Sequence, residues 1–113
     1  MNKVKNYING DQVSISNKEL SVFNPSTDEE IAKVVISGKE DLEEAIKSSK
    51  KSFQSWSNTT PLRRSRILSK YKDILSKNIE ELAQIVSLEH GKTLEDAKGS
   101  ITRGIEVVEF ACG

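Results

Sequence analysis

Four helix-start signals partition residues 37–113, and they restrict that stretch to a series of short helices. Ser37 with Glu40, and Asn78 with Glu81, each set a small polar acceptor three residues before an acid, the spacing of a capping box. Thr60-Pro61 pairs an N-cap residue with proline at the first helical position, where no N–H is needed. Thr93, with Asp96 three positions on, opens the last segment. Within each segment the apolar residues keep a 3.6-residue period. The stripes are Leu42, Ala45, Ile46, Phe53 and Trp56, then Ile67, Leu68, Tyr71, Ile74 and Leu75. They continue with Ile79, Leu82, Ala83 and Val86, then Leu94, Ala97, Ile101, Ile105, Val108 and Cys112. Gly91 stands where a left-handed C-cap would end the third helix.

The first third has a different rhythm. "VKNYI" and "QVSIS" flank Asn9-Gly10-Asp11, and Asn-Gly tolerates the positive φ that a tight hairpin turn requires. "ELSVF" and "EIAKVVI" flank "NPSTDE", where Pro25 fixes φ and Asn24, Ser26 and Asp28 can bond the turn backbone. Two hairpins without a long apolar face are not stable alone and need a partner layer. The expected fold class is therefore α+β: two β-hairpins in residues 1–36, followed by four amphipathic helices in residues 37–113.

Seventeen Lys and Arg balance seventeen Asp and Glu. With no basic surplus, nucleic acid and anionic membrane surfaces are not expected partners. One cysteine can form neither an intrachain disulfide nor a cysteine zinc set, which suits a reducing compartment. No apolar run approaches the roughly 20 residues needed to span a bilayer. The start lacks the apolar stretch of a signal peptide, so a cytoplasmic protein is expected, and the sequon at Asn58 is taken as chance.

Most candidate chemistry has a simpler explanation. Cys112 lies at a helix end, where the dipole disfavours a thiolate, and it shares the apolar stripe of Ile101, Ile105 and Val108. His90 has no second histidine or nearby cysteine to complete a metal set, and it can bond the last carbonyls of its helix. "GKT" at residues 91–93 is not a P-loop: the loop's first glycine is Val86 here, and a helix precedes it. Arg103 stands apart. Two residues from Ile101 on a helical wheel, it points away from the apolar face. It is either a solvent-facing partner of Glu106 at i+3, or a binding residue flanked by Gly99 and Gly104. Each glycine costs about 1 kcal/mol in a helix interior, which suggests that something approaches closely there. Arginine's planar fork matches a carboxylate bidentately.

"NYINGD", "VFNPSTDEEIAKV", "FQSWS", "RRSRIL", "LEHGKTLEDAKGS" and "RGIEVVEFACG" follow one another as in the N-terminal part of aldehyde dehydrogenases. The last of these resembles the methylmalonate-semialdehyde dehydrogenase branch. The resemblance spans essentially the whole chain. It implies membership of an intact protein with a Rossmann-like α/β cofactor domain, a catalytic domain, and a small β-sheet arm for oligomerisation, giving a tetramer. It implies oxidation of a carboxylate-bearing semialdehyde by NAD through a cysteine thioester, which is handed to coenzyme A with loss of carbon dioxide. The product is propionyl-CoA from methylmalonate semialdehyde or acetyl-CoA from malonate semialdehyde. No metal is required.

The resemblance places neither the catalytic cysteine nor the principal NAD contacts in residues 1–113, so this segment alone is expected to be inactive. It carries over one functional residue, Arg103, as the group that binds the substrate carboxylate. Backbone carbonyls at Val22 and Phe23 would match a structural monovalent-cation site, but the acidic partner of that site falls near Thr102, which is not acidic. The competing expectation is a self-contained helical interaction or scaffolding module derived from this segment. The two differ over burial: an enzyme segment leaves apolar faces exposed, whereas a module has its own core.

Overall fold

A computed structural model describes residues 2–113. The contacts group the chain into two units, Met1–Asn58 and Thr59–Gly113.

The first unit contains five strands and one helix. These are β1 (Asn2–Val4), β2 (Asn6–Ile8), β3 (Asp11–Val13), β4 (Glu19–Phe23), β5 (Glu30–Val35) and α1 (Lys39–Asn58). Both expected hairpins are present. β2 and β3 pair antiparallel across Asn9 and Gly10, whose φ angles of 53° and 86° are those of a tight turn. β4 and β5 pair antiparallel, with a register irregularity beside Val22 and Phe23 that leaves Ile31 without an opposite residue. Their connection is an Asx turn: Asn24 Oδ1 accepts from the Ser26 N–H at 2.9 Å, and Asp28 takes a positive φ of 58°.

One strand differs from expectation. "VKNYI" is broken at Lys5, and its first part belongs to β1, which pairs parallel with β5. The result is a three-stranded sheet in the order β1-β5-β4, separate from the β2-β3 hairpin. β5 is central and supplies the buried Ala32 and Val35. Lys3 on β1 and Glu19 on β4 form an ion pair, and the ammonium holds the Glu19 carboxyl below its ordinary pKa.

The start of α1 is shifted from the expected box. The Ser37 hydroxyl donates to Asn6 Oδ1 (2.9 Å) and caps nothing. Gly38 is the N-cap, because its carbonyl accepts from the Leu42 N–H. Asp41 supplies the reciprocal bond by accepting from the Gly38 N–H at 2.9 Å. Its other oxygen accepts from the Ile15 N–H at 2.8 Å. A carboxylate at the third helical position also lies in the favourable field of the helix N-terminus. Asp41 is only 4% exposed, yet its pKa is lowered, first by the Ile15 N–H and then by the Gly38 N–H, against the opposing effect of burial.

The second unit is three helices, α2 (Pro61–Lys77), α3 (Ile79–His90) and α4 (Leu94–Cys112). Thr60 caps α2 by accepting from the Arg63 N–H, and Thr93 caps α4 by accepting from the Asp96 N–H. Gly91 has φ 81° and returns its N–H to the Ser87 carbonyl, the expected left-handed end of α3. Asn78 makes no N-cap bond. Its side chain turns back to donate to the Ile74 carbonyl at 2.7 Å, serving the end of α2 instead. Lys98 on α4 joins Glu80 on α3 at 2.8 Å, and that contact raises the lysine pKa.

Burial is thin. The buried apolar residues are Ala32, Val35, Ala83 and Ala97, all small or medium in size. Phe53 is 65% exposed and Phe110 88%. The helical stripes are real but only half covered, as a segment with exposed apolar faces requires.

Candidate functional site

The α3–α4 connection positions the residues of most interest. After Gly91 reverses the chain, the Ser87 hydroxyl donates to the Lys92 carbonyl at 2.7 Å, and Thr93 caps the following helix. The Lys92 backbone is thereby held from both sides, and its half-buried side chain runs to α4. There Lys92 Nζ donates to Ser100 Oγ at 2.9 Å. Ser100 Oγ donates in turn to the Asp96 carbonyl at 3.2 Å. Arg103, one turn further along, directs Nη2 to the same Ser100 oxygen at 3.5 Å.

Arg103 is exposed and off the apolar stripe, as expected. Two details of the expectation are corrected. Among the described residues no ion pair joins Arg103 to Glu106; the side chain leans back toward the helix N-terminus, onto Ser100. The glycines do not frame it symmetrically either. A Cβ added to Gly99 would lie 3.9 Å from Arg103 Nη1, so that glycine leaves room beneath the guanidinium. A Cβ on Gly104 would meet nothing within 4 Å, and Gly104 instead lines an apolar hollow of about 330 Å³ with Tyr71, Leu82 and Ile105. Among the described residues no hydrogen bond or ion pair reaches Arg103 from outside its helix.

Cys112 ends α4, half-buried, and its carbonyl accepts from the Ser65 hydroxyl of α2. That contact is structural and brings no base to the thiol. His90 ends α3 exposed, and the last-turn carbonyl at Ser87 is served by the Gly91 N–H rather than by the imidazole. Val22 and Phe23 lie on β4 at the sheet irregularity, and Thr102 is exposed on α4. Among the described residues no group of three or more His, Cys, Asp or Glu side chains is placed to hold a metal ion.

The described residues do not form a cradle for a dinucleotide. The one strand–turn–helix step, from β5 through Gly38 into α1, presents a helix N-terminus whose Gly38 N–H is already taken by Asp41. A phosphate there would have to displace a carboxylate bonded to two backbone N–H groups. A hollow of about 540 Å³ beside α1 is lined by Ile8, Ile15, Glu44 and Lys47 among others, with no converging nucleophile and base.

Lys92 and Ser100 are the site residues that sequence patterns did not bring forward. Ser100 carries a local signal, being three positions before Arg103 on the same helix. Lys92 carries none, because its approach depends on how α3 and α4 pack.

Residues 13–113 match the aldehyde dehydrogenase family. The chain belongs to that family. Malonate-semialdehyde dehydrogenase 2 of Bacillus anthracis is 50% identical over 111 residues, covering 97% of this chain. Malonate-semialdehyde dehydrogenase of Pseudomonas aeruginosa is 42% identical over 112 residues, covering 99% of it. Among solved structures, a protein from Sinorhizobium meliloti 1021, described as a methylmalonate-semialdehyde dehydrogenase and complexed with NAD, superposes with a TM-score of 0.97 at 40% identity over the whole chain. Methylmalonate-semialdehyde dehydrogenase from Oceanimonas doudoroffii gives 0.95 at 36% identity. This aldehyde dehydrogenase chain spans 23% of the length of the Bacillus relative and 23% of the Sinorhizobium chain. Its strands and helices are those of the N-terminal part of the aldehyde dehydrogenase fold.

Proposed function

We propose that residues 1–113 are the N-terminal segment of an NAD-dependent, CoA-acylating methylmalonate- or malonate-semialdehyde dehydrogenase. The observation that carries this is 50% identity to a malonate-semialdehyde dehydrogenase across 97% of the chain. In this proposal the segment supplies no nucleophile. It contributes structure and one recognition group, Arg103, whose exposed guanidinium bonds the substrate carboxylate while the aldehyde reacts elsewhere in the protein. NAD accepts the hydride and coenzyme A receives the acyl group, both at sites outside this segment. The proposed setting is a cytoplasmic homotetramer.

A chimera tests the proposal. Residues 1–113 replace the corresponding segment of the Bacillus enzyme, and NAD reduction is followed with malonate semialdehyde and coenzyme A. The expected result is turnover by the chimera and none by residues 1–113 alone. A folded, tetrameric chimera without turnover contradicts the proposal.

A further inference from the structure

The chain has seven asparagines, and only Asn9 is followed by glycine. The backbone nitrogen after an asparagine can attack the side-chain carboxamide, and a Cβ on the following residue crowds that attack. Gly10 has no Cβ, and one built there would meet nothing within 4 Å. Both residues are exposed at the tip of the β2–β3 turn. Among the described residues no hydrogen bond holds the Asn9 carboxamide or the Gly10 N–H. The other asparagines are held or blocked. The Asn58 and Asn78 amides donate to the Gln54 and Ile74 carbonyls at 2.9 and 2.7 Å. The Asn6 side chain is bonded to Ser37 and Asp41. Asn24 precedes Pro25, which has no N–H to attack with. After Asn17 the Lys18 N–H is taken by Ser16 Oγ at 3.2 Å, and Asn2 precedes Lys3 within the β1–β5 pairing. The turn also opens easily, because β2 and β3 are three residues each and a lone two-stranded pair is marginal in water.

From this contrast we infer that Asn9-Gly10 is a site of spontaneous covalent modification, closing to a succinimide that water opens to aspartate and isoaspartate. The Gly10 nitrogen bonds to Asn9 Cγ and gives up its proton, and the Cγ–Nδ2 bond breaks to release ammonia. Water then adds across either imide C–N bond. Opening at Cγ leaves aspartate, and opening at the main-chain carbonyl leaves isoaspartate. Nothing is oxidised or reduced. Aspartate tolerates the positive φ at this position, so that product keeps the turn. Isoaspartate adds a methylene to the backbone of a two-residue loop, which breaks the register of Asn6 with Val13.

The 113-residue chain is incubated in mildly alkaline buffer, shown to be folded by circular dichroism, and compared with the same chain in denaturant. Peptides are read by mass spectrometry with fragmentation that separates aspartate from isoaspartate. In the folded chain Asn9 should convert first of the seven, giving both acids and an equal amount of ammonia. Asn9→Gln, whose longer side chain disfavours the imide ring, should remove that early ammonia. Unfolding should accelerate conversion at Asn58 and Asn78 and change it least at Asn9. Conversion of folded Asn9 no faster than Asn17, or aspartate without isoaspartate, overturns the inference. A large acceleration at Asn9 on unfolding overturns it too, because the turn would then protect the site.

Discussion

Asp41 shows how much a single buried carboxylate can organise. It closes the start of α1 onto Gly38 and fixes the Ile15 backbone, so it joins the segment after the first hairpin to the helix. Its folded pKa is lowered, so its contribution to stability is fully present above the unfolded value near 3.8 and is lost as pH falls through the folded value. Asp41→Asn presents an amide N–H₂ to one of two backbone donors. Chemical denaturation should show a lower midpoint at pH 7, with the gap to the unsubstituted chain narrowing as the pH drops below the carboxylate range. A gap that widens in acid would contradict the assigned bonds. Sequence spacing pointed one residue away, to Ser37 and Glu40, because nothing local reveals that Asn6 takes the Ser37 hydroxyl. At Arg103 the sequence was more informative. Its outward direction followed from helical periodicity alone, while its leaning onto Ser100 and its approach by Lys92 required the folded α3–α4 pair.

The elements separate what local chemistry fixes from what packing decides. Thr60, Gly91 and Thr93 cap as their residue types dictate, and the Asn9-Gly10 turn forms as expected. Asn78 has the residue type of a cap and does not act as one, because α2 ends where α3 begins and its amide serves the earlier helix. Thr93→Ala should therefore cost about 1 kcal/mol of stability, and Asn78→Ala distinctly less. Thermal unfolding followed by circular dichroism ranks the two, and equal losses would mean that Asn78 caps α3 after all. Gly91→Ala places a side chain at φ 81° and should cost about 1–2 kcal/mol. The parallel β1–β5 pairing was not legible because no residue pattern distinguishes a three-residue edge strand from the start of a hairpin.

Over the whole molecule, the stripes predicted the helices but not how far they would be covered. Periodicity records which face is apolar, while burial depends on what lies opposite it. Large side chains such as Leu42, Phe53, Val107 and Phe110 remain exposed, and only four apolar residues are buried among those described. The segment and module readings predict different behaviour for a chain with so thin a core. Residues 1–113 in isolation should bind a hydrophobic dye and unfold over a broad range; a sharp transition without dye binding would favour the module. In the proposed function, Arg103 brings carboxylate recognition to a semialdehyde dehydrogenase. The direct measurement is kcat/KM for malonate semialdehyde against propanal in the chimera, with and without Arg103→Leu. The ratio should fall about tenfold or more, the loss expected for a charge-assisted bond, with propanal oxidation largely spared. An equal loss for both substrates, or none for either, would contradict it.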